Sequence, residues 1–192
     1  MSEILLFHHV LGLSPGVHSF ADELRAAGHT VHTPDLFDGQ TFATLDEGIG
    51  HVRSLGFGTV LDRGVAEADP LPTDLVYAGF SLGVMPAQKL AQTRGGARGA
   101  LFFEACLPVE EFGTGWPQSV PVQVHGMDAD PSFADEGDLD AARALIASAA
   151  HGELFLYEGS THLFSDSSLP GYDQDAATLM TGRVLGFLAR LD

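Results

Sequence analysis

The stretch Tyr77-Ala78-Gly79-Phe80-Ser81-Leu82-Gly83 constrains this chain more than any other. Before it, Asp74 to Ala78 reads as a short buried strand; after it, Val84 to Gln92 reads as a helix. Glycine, any residue, serine, any residue, glycine between a strand and a helix describes a sharp turn that holds the serine hydroxyl proud of a sheet edge. The two glycines lack the Cβ atoms that would collide where strand and helix approach, and the serine takes up strained backbone geometry. A helix N-terminus and the Leu82 amide stand beside the hydroxyl, ready to receive negative charge. The bland alternative is a turn serine, because a chain with 23 glycines among 192 residues produces such a pattern by chance. The strand before, the helix after and the partners downstream favour a nucleophile. Pro86, about one turn beyond Ser81, predicts that the helix starts late or bends, since proline fits only the first turn.

Strands alternate with helices along the rest of the chain. Apolar runs at 4–7, 30–33, 74–78, 100–103, 121–124 and 153–157 read as six strands. Helical spacing of apolar residues marks 17–27, 84–94, 139–150 and 172–190. From Leu36 to Thr73 the pattern is weaker: Leu45, Ile49 and Val52 indicate one helix, Gly56 and Gly58 interrupt it, and 60–68 forms another. Short connections imply right-handed βαβ crossovers, hence an α/β fold with a doubly wound, mostly parallel sheet of about six to seven strands. Length predicts one domain, residues 1–192, with no segment large enough for a separate lid.

Charge narrows the partners. Nine Lys and Arg against 26 Asp and Glu give a formal net charge of -17, which repels nucleic acid and anionic membranes. The lone cysteine, Cys106, permits no intrachain disulfide. Met1-Ser2-Glu3 lacks the basic region of a signal peptide, and no apolar run approaches the ~20 residues of a membrane span. The expectation is a soluble cytoplasmic protein.

Ser81 needs a base to become nucleophilic at neutral pH, and a histidine oriented by a carboxylate is the usual solution. His162, in the loop Gly159-Ser160-Thr161-His162-Leu163-Phe164 after the last strand, opens at the serine's edge of a parallel sheet. His8 and His9 come too early for the order serine, acid, histidine; His125 ends the fifth strand and His151 lies at a helix end. Two acids, Asp128 and Asp130, follow the fifth strand. Asp130 is favoured because Asp130-Pro131 forms a turn there. Asp135, Glu136 and Asp138 read as solvated or helix-start residues.

Taken in order, the Gly12 loop, Thr33-Pro34-Asp35-Leu36-Phe37, Gly79-Phe80-Ser81-Leu82-Gly83, His125-Gly126 with the downstream Asp-Pro, and His162-Leu163-Phe164 resemble the dienelactone hydrolase family of α/β-hydrolases. The resemblance implies a serine-nucleophile variant, with Ser81 the nucleophile, Asp130 the acid and His162 the base. It implies an oxyanion hole from the backbone amides of Val10 and Leu82, each worth ~3 kcal/mol to the transition state. The enzyme that names the family carries cysteine where this chain has Ser81, and an acidic residue where His9 falls. A serine there implies cleavage of small carboxylic esters, lactones or thioesters through an acyl-enzyme, without a cofactor. Cys106 has none of the elbow's glycines around it and is no substitute.

Two rivals stand beside this reading. A metal site is opposed by the geometry of His8 and His9, adjacent on a strand and facing opposite ways. Asp128-x-Asp130 has Phe133 where a calcium loop needs glycine and Leu139 where it needs glutamate. A non-catalytic small-molecule binding protein on the same fold is the second rival, since fold alone never implies activity. Phe112 and Trp116 read as packing residues rather than pocket walls.

Overall fold

A computed structural model describes residues 1–191. Six strands form one wholly parallel sheet: β1 Glu3–Phe7, β2 Thr30–His32, β3 Val76–Phe80, β4 Gly99–Phe103, β5 Val122–Met127 and β6 Gly152–Tyr157. Their order is β2-β1-β3-β4-β5-β6, so the chain winds outward from β1 in both directions. The direction of winding reverses between β1 and β3. In such sheets the crevice beyond the carboxyl ends at the reversal is where ligands bind.

Six α-helices cover the two faces: α1 Pro15–Ala26, α2 Leu45–Leu55, α3 Phe57–Ala66, α4 Val84–Thr93, α5 Asp138–Ser148 and α6 Gln174–Leu191. Alternation along the strands divides the core. Leu5, Phe7, Tyr77 and Phe102 face α2 to α5. Ile4, Leu6, Ala78 and Leu101 face α1 and α6. Central strands are buried on both faces, which is why β3 and β4 read as unbroken apolar runs. No helix among the described residues is long and apolar enough to cross a membrane.

Element ends differ from the sequence expectations for local reasons. Helix α1 starts at Pro15, two residues early, because Ser14 caps it and proline suits the first helical position. Gly56, at φ 89°, separates α2 from α3, but Gly58 lies inside α3 and interrupts nothing. β3 runs to Phe80 and β5 to Met127, each further than the apolar pattern shows, because Gly79 and Gly126 sit within strands. Helix α4 does start late. A single 3₁₀ turn, Ser81–Gly83, precedes it, which leaves Pro86 in the first α-helical turn, where its missing N–H has no partner to lose.

Close backbone approach fixes the Ser81 turn. A Cβ on Gly83 would lie 2.5 Å from the Phe7 carbonyl oxygen and 2.7 Å from that of His8. A Cβ on Gly79 would lie 2.2 Å from the Gly83 carbonyl oxygen. Both obstacles are backbone, so neither can yield cheaply. We therefore expect Gly83→Ala to cost about 1–3 kcal/mol, the usual cost of overpacking. Thermal unfolding followed by circular dichroism should show the drop in Tm, and an unchanged Tm would mean that β1 and this turn are not packed as described.

Candidate active site

Each sequence-predicted residue emerges from a loop at the carboxyl edge of the sheet. Ser81 follows β3 with φ 46°, a left-handed conformation that costs a non-glycine residue on the order of 1–2 kcal/mol. Its hydroxyl donates to His162 Nε2 at 2.8 Å. His162 Nδ1–H in turn donates to Asp130 Oδ2 at 2.7 Å. Asp130 is fully buried, caps the turn Pro131–Asp135 through its Oδ1, and so has both oxygens occupied. Asp128 is exposed and accepts the Gly159 amide at 3.1 Å, a loop-to-loop tie away from the imidazole. The structure thus brings Ser81, His162 and Asp130 together and leaves Asp128 outside.

Burial by itself lowers the His162 pKa, but the Asp130 hydrogen bond and the nearby carboxyls of Glu104, Asp130 and Asp138 raise it above its ordinary value. The ring is well placed to hold a proton taken from Ser81.

Val10 and Leu82 flank Ser81 in the wall of a cavity of about 370 Å³. Its far wall comes from α2 and α3, through Leu45, Ile49 and Phe57. The segment with the weakest sequence signal thus supplies much of the lining. Phe112 and Trp116 are not in that wall; Trp116 is buried and donates its Nε1–H to the Val120 carbonyl at 2.7 Å. A larger concavity of about 700 Å³ opens at the amino ends of β5 and β6, beside Pro121, His151 and Arg190, away from these residues.

His8, His9 and His125 have structural partners. His8 and His9 lie beyond the end of β1, not on it, and both are buried. His8 donates from Nδ1 to the His9 carbonyl and accepts the Leu36 amide at Nε2. Burial holds its pKa down near about 4, so the ring is neutral. His125 lies inside β5, bonded to Tyr157 and Gln123, with burial holding its pKa down near about 3. Burial pushes the Cys106 thiol upward, so no thiolate forms there.

Sequence reasoning missed two carboxylates. Asp166, four residues after His162, accepts the Nε2–H of His9 at 2.7 Å, the Ser14 hydroxyl, and the amide and hydroxyl of Ser168. Burial would raise its pKa, yet those four donors bring it down to about 2. His9 Nδ1 accepts the Leu11 amide at 3.2 Å, so the Val10 loop is tied to the loop bearing His162. A Cβ on Gly16 would strike Asp166 and one on Gly48 would strike the Val10 carbonyl, so both glycines make room for this arrangement. The pair Ser14-Pro15 and the spacing His162-x-x-x-Asp166 carried the only trace of it.

The second is Glu104, at the carboxyl end of β4. It is 1% exposed, with a left-handed backbone at φ 64°. Oε1 accepts from the Ser165 hydroxyl at 3.0 Å, while Oε2 is buried without a partner, in a residue that lines the cavity. Burial raises its pKa to about 7, against the pull of His162 and Ser165.

The sequence profile described as "Dienelactone hydrolase family" matches residues 1–191. The chain belongs to that family. Family membership makes it a carboxylic ester hydrolase of dienelactone hydrolase type. Solved structures agree in fold. A dienelactone hydrolase-like promiscuous phosphotriesterase from metagenomic libraries superposes with a TM-score of 0.77 at 20% identity, covering 100% of this chain and 87% of that one. Esterase 2 of the planctomycete Thermogutta terrifontis, with propionate bound, gives 0.72 at 14% identity, covering 99% and 83%. The same esterase phosphonylated by cyclosarin gives 0.67 at 15%, with the same coverage. No curated protein sequence matches significantly.

The raised Glu104 pKa has a sign that can be checked. An unfolded glutamate loses its proton near pH 4.5, whereas folded Glu104 keeps it to about 7. Between those values the folded state binds the extra proton, so this residue's contribution to stability falls as pH climbs from 4.5 to 7. Denaturant titrations should show Glu104→Gln gaining stability relative to wild type between pH 5 and pH 8, and a constant difference would place the carboxyl in a more polar setting.

Proposed function

We propose that the protein is a serine hydrolase that cleaves small carboxylic esters or lactones through a Ser81-Asp130-His162 triad and an acyl-enzyme. The observation that carries the proposal is the chain of short hydrogen bonds from Ser81 Oγ to His162 to buried Asp130, opening on a cavity. Ser81 attacks the carbonyl carbon while His162 Nε2 takes the hydroxyl proton, and Asp130 stabilises the imidazolium. The oxyanion is held by the amides of Val10 and Leu82, with the helix N-terminus behind them. His162 returns the proton to the leaving alcohol. Water, deprotonated by the same ring, then releases the acid.

The cavity volume, about 370 Å³, suits a small substrate. An activated serine here would be expected to react with organophosphorus reagents, and the Thermogutta terrifontis esterase of the same fold has been phosphonylated by cyclosarin. The net charge of -17 supports a protein with neither nucleic acid nor an anionic membrane as partner.

Three measurements test the mechanism. Ser81→Ala should lower kcat on short-chain esters by on the order of 10⁴-fold or more, and should abolish covalent labelling by a fluorophosphonate. Undiminished turnover in that variant would remove Ser81 from the chemistry, and an unlabelled wild type would favour the binding-protein reading. Asp130→Asn should reduce kcat by about 10³–10⁴-fold, since the ring loses its orienting acceptor. Because the reacting histidine must be neutral and its pKa is raised, kcat/KM should climb with pH through a midpoint above the ordinary value of 6.5. A midpoint below 6.5 would mean that His162 is not the base.

A further inference from the structure

The cavity beside Ser81 carries one group that the proposed reaction does not use. Glu104 is fixed at its backbone by the left-handed turn and by the hydrogen bond its backbone N–H donates to the His125 carbonyl. Its Oε1 is fixed by Ser165. Oε2 alone is left over, buried and without a protein partner, and Glu104 lines the same cavity as Ser81 and His162. An unpartnered carboxyl oxygen at such depth costs the fold a hydrogen bond's worth of desolvation or more. A group retained at that cost beside a proposed nucleophile is placed to meet a ligand.

Charge around it points the same way. Glu136 and Asp138, from the start of α5 and the turn before it, line the cavity with Glu104. Burial raises the Asp138 pKa, and Glu136 adds to the rise, so these carboxyls crowd one another. The opposing wall is apolar, from Leu45, Ile49, Phe57 and Met85, with exposed Arg53 the cation among the lining residues. Part of the cavity therefore accepts hydrocarbon, and Glu104, Glu136 and Asp138 make the rest of it rich in carboxyl acceptors.

We infer that Glu104 is a specificity-determining residue: its free Oε2 accepts a hydrogen bond from a donor group on the substrate, so the site selects esters bearing an ammonium or hydroxyl group over esters bearing a carboxylate. The inference rests on the ester-hydrolase reading of the same site. A substrate ammonium completes the coordination that Oε2 lacks and offsets the repulsion between Glu136 and Asp138. A hydroxyl completes it without the charge. A carboxylate placed there is repelled by Glu104, Glu136 and Asp138.

A matched set of esters tests it. Methyl 6-aminohexanoate, methyl 6-hydroxyhexanoate, methyl heptanoate and monomethyl adipate share one chain length and differ at the far end. The pair 6-aminohexyl acetate and heptyl acetate moves the same change to the alcohol side. Expected in wild type, assayed at pH 8 where Glu104 is ionised, is a kcat/KM higher for the ammonium ester than for its hydrocarbon match, by on the order of tenfold, in at least one of the two pairs. The adipate should be the poorest substrate. If the hydroxyl ester shares the preference, hydrogen bonding is the recognised feature; if it does not, charge is.

In Glu104→Gln, which keeps the shape but presents an amide, the ammonium preference should collapse toward unity. The ratio between matched esters cancels any change passed through His162, so a role confined to the imidazole would lower all esters alike and leave the ratio intact. That result would overturn the inference while leaving the hydrolase reading standing. A wild type that shows no preference for either donor in either pair overturns it without any variant, should Glu104→Gln fail to fold. A wild type that turns over none of the esters and takes no fluorophosphonate overturns the hydrolase reading and this inference together.

Discussion

The contact between the Ser81 turn and the end of β1 governs the rest of the structure. Gly83 lies against the carbonyls of Phe7 and His8 so closely that a single added carbon would collide. That approach sets the position of the 3₁₀ turn, and the turn sets the φ of 46° at Ser81. The strain is held in place because the sheet on one side and α4 on the other leave no alternative path. It also brings the loops after β1 and β3, the two strands at the winding reversal, into one crevice. The proposed nucleophile and the proposed oxyanion donor of Val10 are neighbours for that topological reason.

Buried carboxylates organise the rim around this turn, each by a different balance of burial and hydrogen bonding. Asp166 has donors for every demand it makes, and its pKa falls to about 2 despite burial. It is a structural anion that ties the Val10 loop to the loop of His162 through His9. Asp130 is equally buried, and its two oxygens meet the His162 ring and the Ser132 amide. Glu104 has half of what it needs, and its pKa rises to about 7. Three acids at one edge of the sheet thus differ in their partners: Asp166 is fully paired, Asp130 is paired with His162 and Ser132, and Glu104 keeps one oxygen open.

The match to the dienelactone hydrolase family extends over residues 1–191. Within that frame His9, just beyond the end of β1, donates from Nε2 to Asp166 and accepts the Leu11 amide at Nδ1, so it braces the Val10 loop against the loop of His162. The family match and the fold both depend on features spread along the chain rather than on one residue.

Much of the architecture was legible in the sequence because it is encoded locally. Apolar runs bounded by Gly, Pro and Asp gave all six strands, and Gly79-x-Ser81-x-Gly83 marked the turn through residues that only one geometry requires. Asp130 stood out from Asp128 through the proline that follows it. Glu104 and Asp166 did not stand out at all: a glutamate after a strand and an aspartate in a loop look solvated until burial and partners are known. Likewise α2 and α3, whose periodicity Gly56 blurs, were weakly marked although they wall the cavity. Local sequence determined which segments form strands, helices and the sharp turn, because backbone preference and side-chain period act over a few residues. Only the tertiary structure decided which charges are buried and which go unpaired, because that depends on donors brought together from loops more than sixty positions apart.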